Sequence, residues 1–178
     1  RLKMNSVVLS IFFAGMIIPP QVIAVPLFIQ MRNMGLINTV FGLSLVLTAS
    51  QLPLTIFIYS GFIKTIPFEI DEAAKIDGCN PFQIFTRMIV PLSHTATATV
   101  VMLTTLHVWR EFFYPLVLTT KVQARTLSVA LFSFQSFETV EWTSLFAAMV
   151  IMIAPVVIIF IFGQRYIISG AVSGAVKG

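Results

Sequence analysis

The sequence predicts an all-α integral membrane protein, a polytopic helical bundle. Three observations carry that prediction. Hydrophobic residues make up 57% of the chain and charged residues only 10%, whereas an ordinary soluble domain is about 25% charged. Uncharged runs are long enough to cross a bilayer, from Met4 to Met31 and again across the second apolar segment. Between such runs lies one polar, helix-forming insert, Glu72 to Leu92, EAAKIDGCNPFQIFTRMIVPL.

Four segments can each span about 30 Å of hydrocarbon at about 1.5 Å per helical residue. They cover about residues 6–30, 38–62, 94–119 and 143–162, the third interrupted late by Arg110 and Glu111. Apolar residues occur all round them, as expected where lipid and neighbouring helices share the faces. Pro19, Pro20, Pro26, Pro53, Pro115 and Pro155 lie in or near these helices, where neighbouring helices or local rearrangement satisfy the freed carbonyls. Trp142 is placed to anchor the last span at the interface. The connection before it carries Phe132, Phe134 and Phe137, which lack clean helical spacing.

The four spans place Arg1, Lys3, Lys64, Lys75, Arg87, Arg165 and Lys177 on one face and Arg32, Arg110, Lys121 and Arg125 on the other. Seven against four makes the first face cytoplasmic. The insert, within a loop of about residues 63–93, and the tail, about residues 164–178, are then both cytosolic. The net charge of +4 is scattered, without the basic stripe that nucleic-acid binding requires. Cys79 is the only cysteine, so neither an intrachain disulfide nor a cysteine-cluster metal site is available. The chain opens at Arg1 with no signal-peptide pattern, and we expect it to be N-terminally truncated.

The insert reads as two short helices. Pro67 suits a helix start, and Glu69, Asp71 and Glu72 sit near the positive end of the helix dipole. Asp71 and Lys75 are spaced for an i, i+4 pair. Ala73 and Ala74 favour helix and leave a low surface for close approach of another protein. Gly78 can take the left-handed conformation that stops the helix. Asn80 is a good N-cap, Pro81 a good first residue, and Gln83 falls at the capping-box position. Phe82, Phe85 and Ile89 make an apolar stripe, and Pro91 marks the end.

Glu72, Ala73, Ala74, Asp77 and Gly78, followed by Ile84, Phe85, Pro91 and Leu92, resemble the EAA loop of permease subunits of binding-protein-dependent ABC importers. Similarity extends over nearly the whole chain. Gly35 to Thr39 resembles the family's G-L-I-N-T, and Trp109 to Pro115 its W-N-x-F-x-x-P, with Arg110 where the family usually has Asn. Gln164-Arg165-Tyr166 and the closing Gly174 to Gly178 resemble its Q-R-[YW] and G-A-V-K-G. The set is most similar to the carbohydrate branch, in particular to maltose-importer permease subunits with a free cytosolic tail.

That resemblance implies the type I ABC importer permease (MetI-like) fold and a non-catalytic subunit of a sugar importer in a bacterial or archaeal inner membrane. It implies a cytosolic ABC ATPase dimer, a second permease subunit, an extracytoplasmic solute-binding protein and membrane lipid as partners. ATP and Mg would be bound by the ATPase, with no cofactor or metal in this chain. Glu72, Ala73, Ala74, Asp77, Gly78, Phe82, Phe85 and Pro91 are implied to couple to the ATPase, and Val176, Lys177 and Gly178 to reach it from the tail. Trp109, Arg110, Glu111 and Phe112 are candidate pathway residues, because charge at membrane depth marks function by default. The chain has no P-loop motif, so energy must come from a partner. The alternatives are an importer of the same class for a non-sugar solute and, more distantly, an intramembrane enzyme or a channel. An enzyme would have only His94 and His107 as obvious bases, about 20 Å apart on a straight helix.

Overall fold

The computed structural model describes residues 6–132 and 142–175. Among the described residues all regular structure is helical. It runs α1 (Ser6–Ile17), α2 (Pro20–Asn33), α3 (Val40–Thr65), α4 (Phe68–Ile76), α5 (Pro81–Ile84), a π-helical turn (Phe85–Ile89) and α6 (Val90–Leu92). Then follow α7 (His94–Arg110), α8 (Phe113–Leu118), a 3-10 turn (Val122–Ala124), α9 (Leu127–Phe132) and α10 (Trp142–Ala175). By length and composition α3 and the Trp142–Gly163 part of α10 can each cross a membrane, and the number rises to four if two bent helix pairs are each counted as one span.

The segment read as a single first span is two helices bent by 101°. Neither Pro19 nor Pro20 has an N–H to donate, and Pro20 holds Pro19 in the extended region (φ −62°, ψ 136°). The segment read as a third span also breaks, between α7 and α8. Pro115 has no N–H for the Glu111 carbonyl, and Glu111 turns extended at φ −63°, ψ 126°. The other bent pair joins Pro81–Leu92 to α7 at 65°. At the far end the backbone stays helical through the residues read as a tail, to Ala175.

α7 packs against both α3 and α10, and α1 packs against α3. Polar side chains join these helices: the Tyr59 hydroxyl donates to Thr97 Oγ1 at 2.8 Å, and the Trp109 indole N–H donates to the Met152 carbonyl at 3.0 Å. The second bond reaches α10 one turn before Pro155, where that helix lacks a donor. Further along, the Met102 sulfur occupies the space beside Gly163, where an added Cβ would lie 2.6 Å from it.

The buried core sits at one end of the molecule, where Met31, Leu43, Val46, Leu47, Tyr114 and Leu118 meet from α2, α3 and α8. The turn between α2 and α3 positions this core. Gly35 takes φ +69° and ends α2, with the Leu36 N–H bonded to the Met31 carbonyl. Asn38 takes φ +60°, a conformation Asn tolerates better than most residues. Its N–H donates to the Leu118 carbonyl at 2.9 Å, and its Oδ1 accepts from Thr120 Oγ1 at 3.0 Å and the Lys121 N–H at 2.8 Å. Thr39 caps α3, accepting from the Gly42 N–H and donating to the Leu36 carbonyl.

Gly42 is wedged against that turn, and a Cβ there would run into the Leu36 carbonyl oxygen, a backbone atom that has no rotamer to escape by. Gly42→Ala is expected to cost about 1–3 kcal/mol, seen as a lower unfolding midpoint of the detergent-purified protein, whereas Gly61→Ala, with open space around it, leaves the midpoint in place.

Candidate functional site

The α4–α6 element is built by local chemistry. α4 opens after Pro67 and ends at Asp77, and Gly78 follows at φ +79°. The Cys79 N–H donates to the Ala74 carbonyl at 2.9 Å, closing the left-handed turn. Asn80 Oδ1 then accepts from the Gln83 N–H and Gln83 Oε1 from the Asn80 N–H, each at 2.9 Å, a complete capping box. Pro91 has no N–H to continue an α-helical ladder, and the strand of hydrogen bonds shifts to i→i+5, with the Val90 N–H on the Phe85 carbonyl. The apolar spacing of this helix does not announce that π turn; Pro91 is the signal that does.

The predicted coupling residues divide into two sets. Ala74 is fully buried, and Ile84 is also buried, so within this chain Ala74 does not offer the exposed low surface expected of it. Glu72, Ala73, Asp77 and Gly78 lie exposed along α4 and its end. Ile76 (86% exposed), Phe82 (74%) and Phe85 (55%) are exposed large apolar side chains of the same element. Ile76 was not singled out from the sequence, although an isoleucine two residues before Gly78 on a short capped helix is the available clue. Among the described residues Asp71 and Lys75 do not close to an ion pair; the Lys75 ammonium lies over the Phe68 ring at 5.9 Å. Pro91 is exposed at the end of the element.

The pathway candidates also separate. Glu111 is a structural hub: its Oε1 accepts from the Phe113 N–H at 2.9 Å and the Tyr114 N–H at 3.3 Å, capping α8. Its Oε2 lies 3.6 Å from His107 Nε2, and its carbonyl accepts from the Ser128 hydroxyl at 2.7 Å. Phe112 stacks at a tilt on Phe132, 5.7 Å between ring centres, and Arg110 is exposed. Trp109 alone of the four lines an open groove of about 780 Å³ between α3 and α7. His94 and His107 lie on the same helix, where His94 contacts the Pro91 carbonyl and His107 faces Glu111. Val176, Lys177 and Gly178, with Phe134 and Phe137, lie outside the described residues.

Asn80→Ala removes the side-chain half of the capping box, the bond from the Gln83 N–H to Asn80 Oδ1, and leaves the Asn80 N–H free to donate to Gln83 Oε1. It is expected to cost about 0.5–2 kcal/mol locally, read as faster hydrogen exchange at the Gln83 amide with exchange along α7 unchanged.

Comparison with known proteins agrees with this architecture. The chain is 36% identical over 177 residues to the melibiose/raffinose/stachyose import permease protein MelC of Bacillus subtilis, covering 99% of this chain and 64% of that protein. It is 36% identical over 172 residues to the trehalose/maltose transport system permease protein MalG of Thermococcus litoralis, covering 96% and 62%. The chain therefore spans less than two thirds of the length of these curated relatives. Residues 2–171 match the family described as the inner membrane component of binding-protein-dependent transport systems. With nearly its whole length inside that match, the chain is a member of the binding-protein-dependent transport system inner membrane component family, a family of membrane permeases and not of catalysts.

Proposed function

We propose that the chain is a transmembrane permease subunit of an ATP-driven sugar importer and couples to a cytosolic ATPase dimer through α4–α6. One observation carries the coupling role: the exposed apolar side chains of Ile76, Phe82 and Phe85, with the exposed Glu72 on α4, stand on a two-helix element fixed by a capping box. An isolated apolar side chain on a surface needs no explanation, but several on one ordered element mark a contact site. Glu72 supplies the charge that fixes orientation against a basic partner, and Ala73 beside it keeps the surface low. The turn at Gly78 sets the angle between the helices, and the 65° bend at the α6–α7 junction passes a push on the element to α7. α7 in turn packs on α3 and α10, so displacement reaches the spanning helices.

The sugar assignment draws on the two relatives above, a melibiose/raffinose/stachyose import permease protein and a trehalose/maltose transport system permease protein. On this reading a second permease subunit completes the route, an extracytoplasmic binding protein delivers the solute, and ATP and Mg sit in the ATPase. The element and the C-terminal end of α10 face the cytosol, as the Lys and Arg count favours.

In the assembled transporter, Glu72→Arg is expected to lower uptake about tenfold or more by setting like charges against each other, with weaker co-purification of the ATPase. Normal assembly together with normal import would sink the coupling role. A membrane-impermeant maleimide should reach Cys79 in inside-out vesicles and leave it unmodified in intact spheroplasts; the reverse pattern would invert the proposed topology.

A further inference from the structure

The groove between α3 and α7 sits apart from the coupling element and is lined by a particular mixture of groups. Ser44, Thr48, Gln51 and Thr55 recur at helical spacing along one face of α3. Thr105 and Trp109 face them from α7. Elsewhere in these helices hydroxyls return a hydrogen bond to their own backbone, as Ser50 and Ser60 do on α3 and Thr97 and Thr99 on α7. Among the described residues the hydroxyls of Ser44, Thr48, Thr55 and Thr105 have no hydrogen-bond partner. Four hydroxyls left open in one groove are a store of unspent donors and acceptors.

Gln51 is the second observation. Its side chain is buried, with only 8% of the residue exposed, yet its one hydrogen bond is a long Nε2 contact of 3.4 Å to Ser50 Oγ. Its Oε1 has no donor among the described residues. Since no buried side-chain oxygen or nitrogen is left sealed without a partner, Oε1 opens into the groove. A carboxamide held this deep keeps an acceptor available to a donor that enters the groove. Trp109 adds the complementary surface. Its N–H is committed to the Met152 carbonyl, which holds the indole in place beside the groove.

The occupant's chemistry follows from what lines the groove. Among the described residues no charged side chain does so, so neither an anion nor a metal ion would find a counter-charge from them. A lipid tail would leave the hydroxyls and Gln51 unpaired. A pyranose ring presents an apolar C–H face for an indole and a rim of hydroxyls that both donate and accept. The remaining apolar lining and the volume of about 780 Å³ suit such a solute, within the range of about 300–1,000 Å³ usual for small-molecule sites. We propose that this groove is a carbohydrate-binding subsite within this chain, with Gln51 and the hydroxyls of Ser44, Thr48, Thr55 and Thr105 bonding the sugar hydroxyls and Trp109 carrying its apolar face. This rests on the reading of the chain as part of a sugar importer.

The test uses the complete transporter with its partner subunits and binding protein, in cells supplied with radiolabelled raffinose or trehalose. Gln51→Leu keeps the apolar volume and removes the amide. Thr48→Val is isosteric and removes a hydroxyl that has no bond within the fold, so it separates binding from folding. At equal amounts of assembled complex each is expected to slow import about tenfold, the loss of roughly one hydrogen bond to the solute. Ser60→Ala, on the same helix but outside the groove, stays within about twofold. If the wild-type complex imports either sugar and both variants import it at the wild-type rate, the subsite is overturned while the importer reading stands. If the wild-type complex imports neither sugar but does import a non-sugar solute, the sugar assignment falls and the subsite falls with it.

Discussion

The carboxamide of Asn38 holds together the one well-buried end of this molecule. Its backbone turns α2 into α3, and its Oδ1 accepts two hydrogen bonds from Thr120 and Lys121, more than eighty residues later in the chain. Because the Asn38 N–H also reaches the Leu118 carbonyl, a single residue ties the start of α3 to the end of α8. Leu43, Val46 and Leu47 then meet Leu118 and Tyr114 on fixed terms, and the groove between α3 and α7 inherits its walls from that arrangement. In hydrocarbon a broken helix is tolerated only where its freed backbone groups find partners. Asn38 and Glu111 provide those partners at the two breaks nearest the core.

Glu111 shows how the same constraint changes the meaning of a charge. A carboxylate late in an apolar segment invites a pathway role. Here it accepts from two backbone N–H groups at the start of α8, while the Glu111 carbonyl accepts from Ser128. Pro115 withdraws the donor that the Glu111 carbonyl would have had, and the Ser128 hydroxyl supplies one; the Glu111 carboxylate takes the N–H groups freed at the start of α8. The polar groups left open to a solute are instead uncharged ones, on a face of α3 that carries no ionisable residue. Neutral hydroxyls and a carboxamide can lie in such a groove at far lower cost than an unpaired charge, because taking a charge out of water without a partner is expensive.

The exposed α4–α6 element leads directly into α7, and α7 forms one wall of the groove, so the helix joins the two mechanically. α4–α6 enters α7 through a sharp bend, and α7 carries Thr105 and Trp109 into the groove. The Trp109 bond to Met152 and the close approach of Met102 to Gly163 fasten α7 to α10. A shift of the exposed element therefore has a packed route to the groove walls, with the π turn at Phe85–Ile89 as the place where the ladder is already out of regular register.

Features set by neighbours a few residues apart were legible in the sequence. Asn80 with Gln83, Pro81, and Gly78 at its left-handed turn are short-range chemistry, and the structure has each of them where spacing puts it. The all-helical character follows as directly, since long uncharged runs leave the backbone no partner but itself. Tertiary structure decided what depends on partners far along the chain. Whether Pro19–Pro20 merely kinks a helix or turns it through 101°, whether Ala74 is exposed or buried, and whether Glu111 lines a route or caps a helix all turn on what packs alongside. Gln51 is the sharpest case. In sequence it is one polar residue in an apolar run, and only the approach of α7 to α3 buries it and leaves its oxygen facing a groove. Local spacing fixes which helices form, because hydrogen bonds and caps are local; burial is a property of the assembled helices, and so is the site.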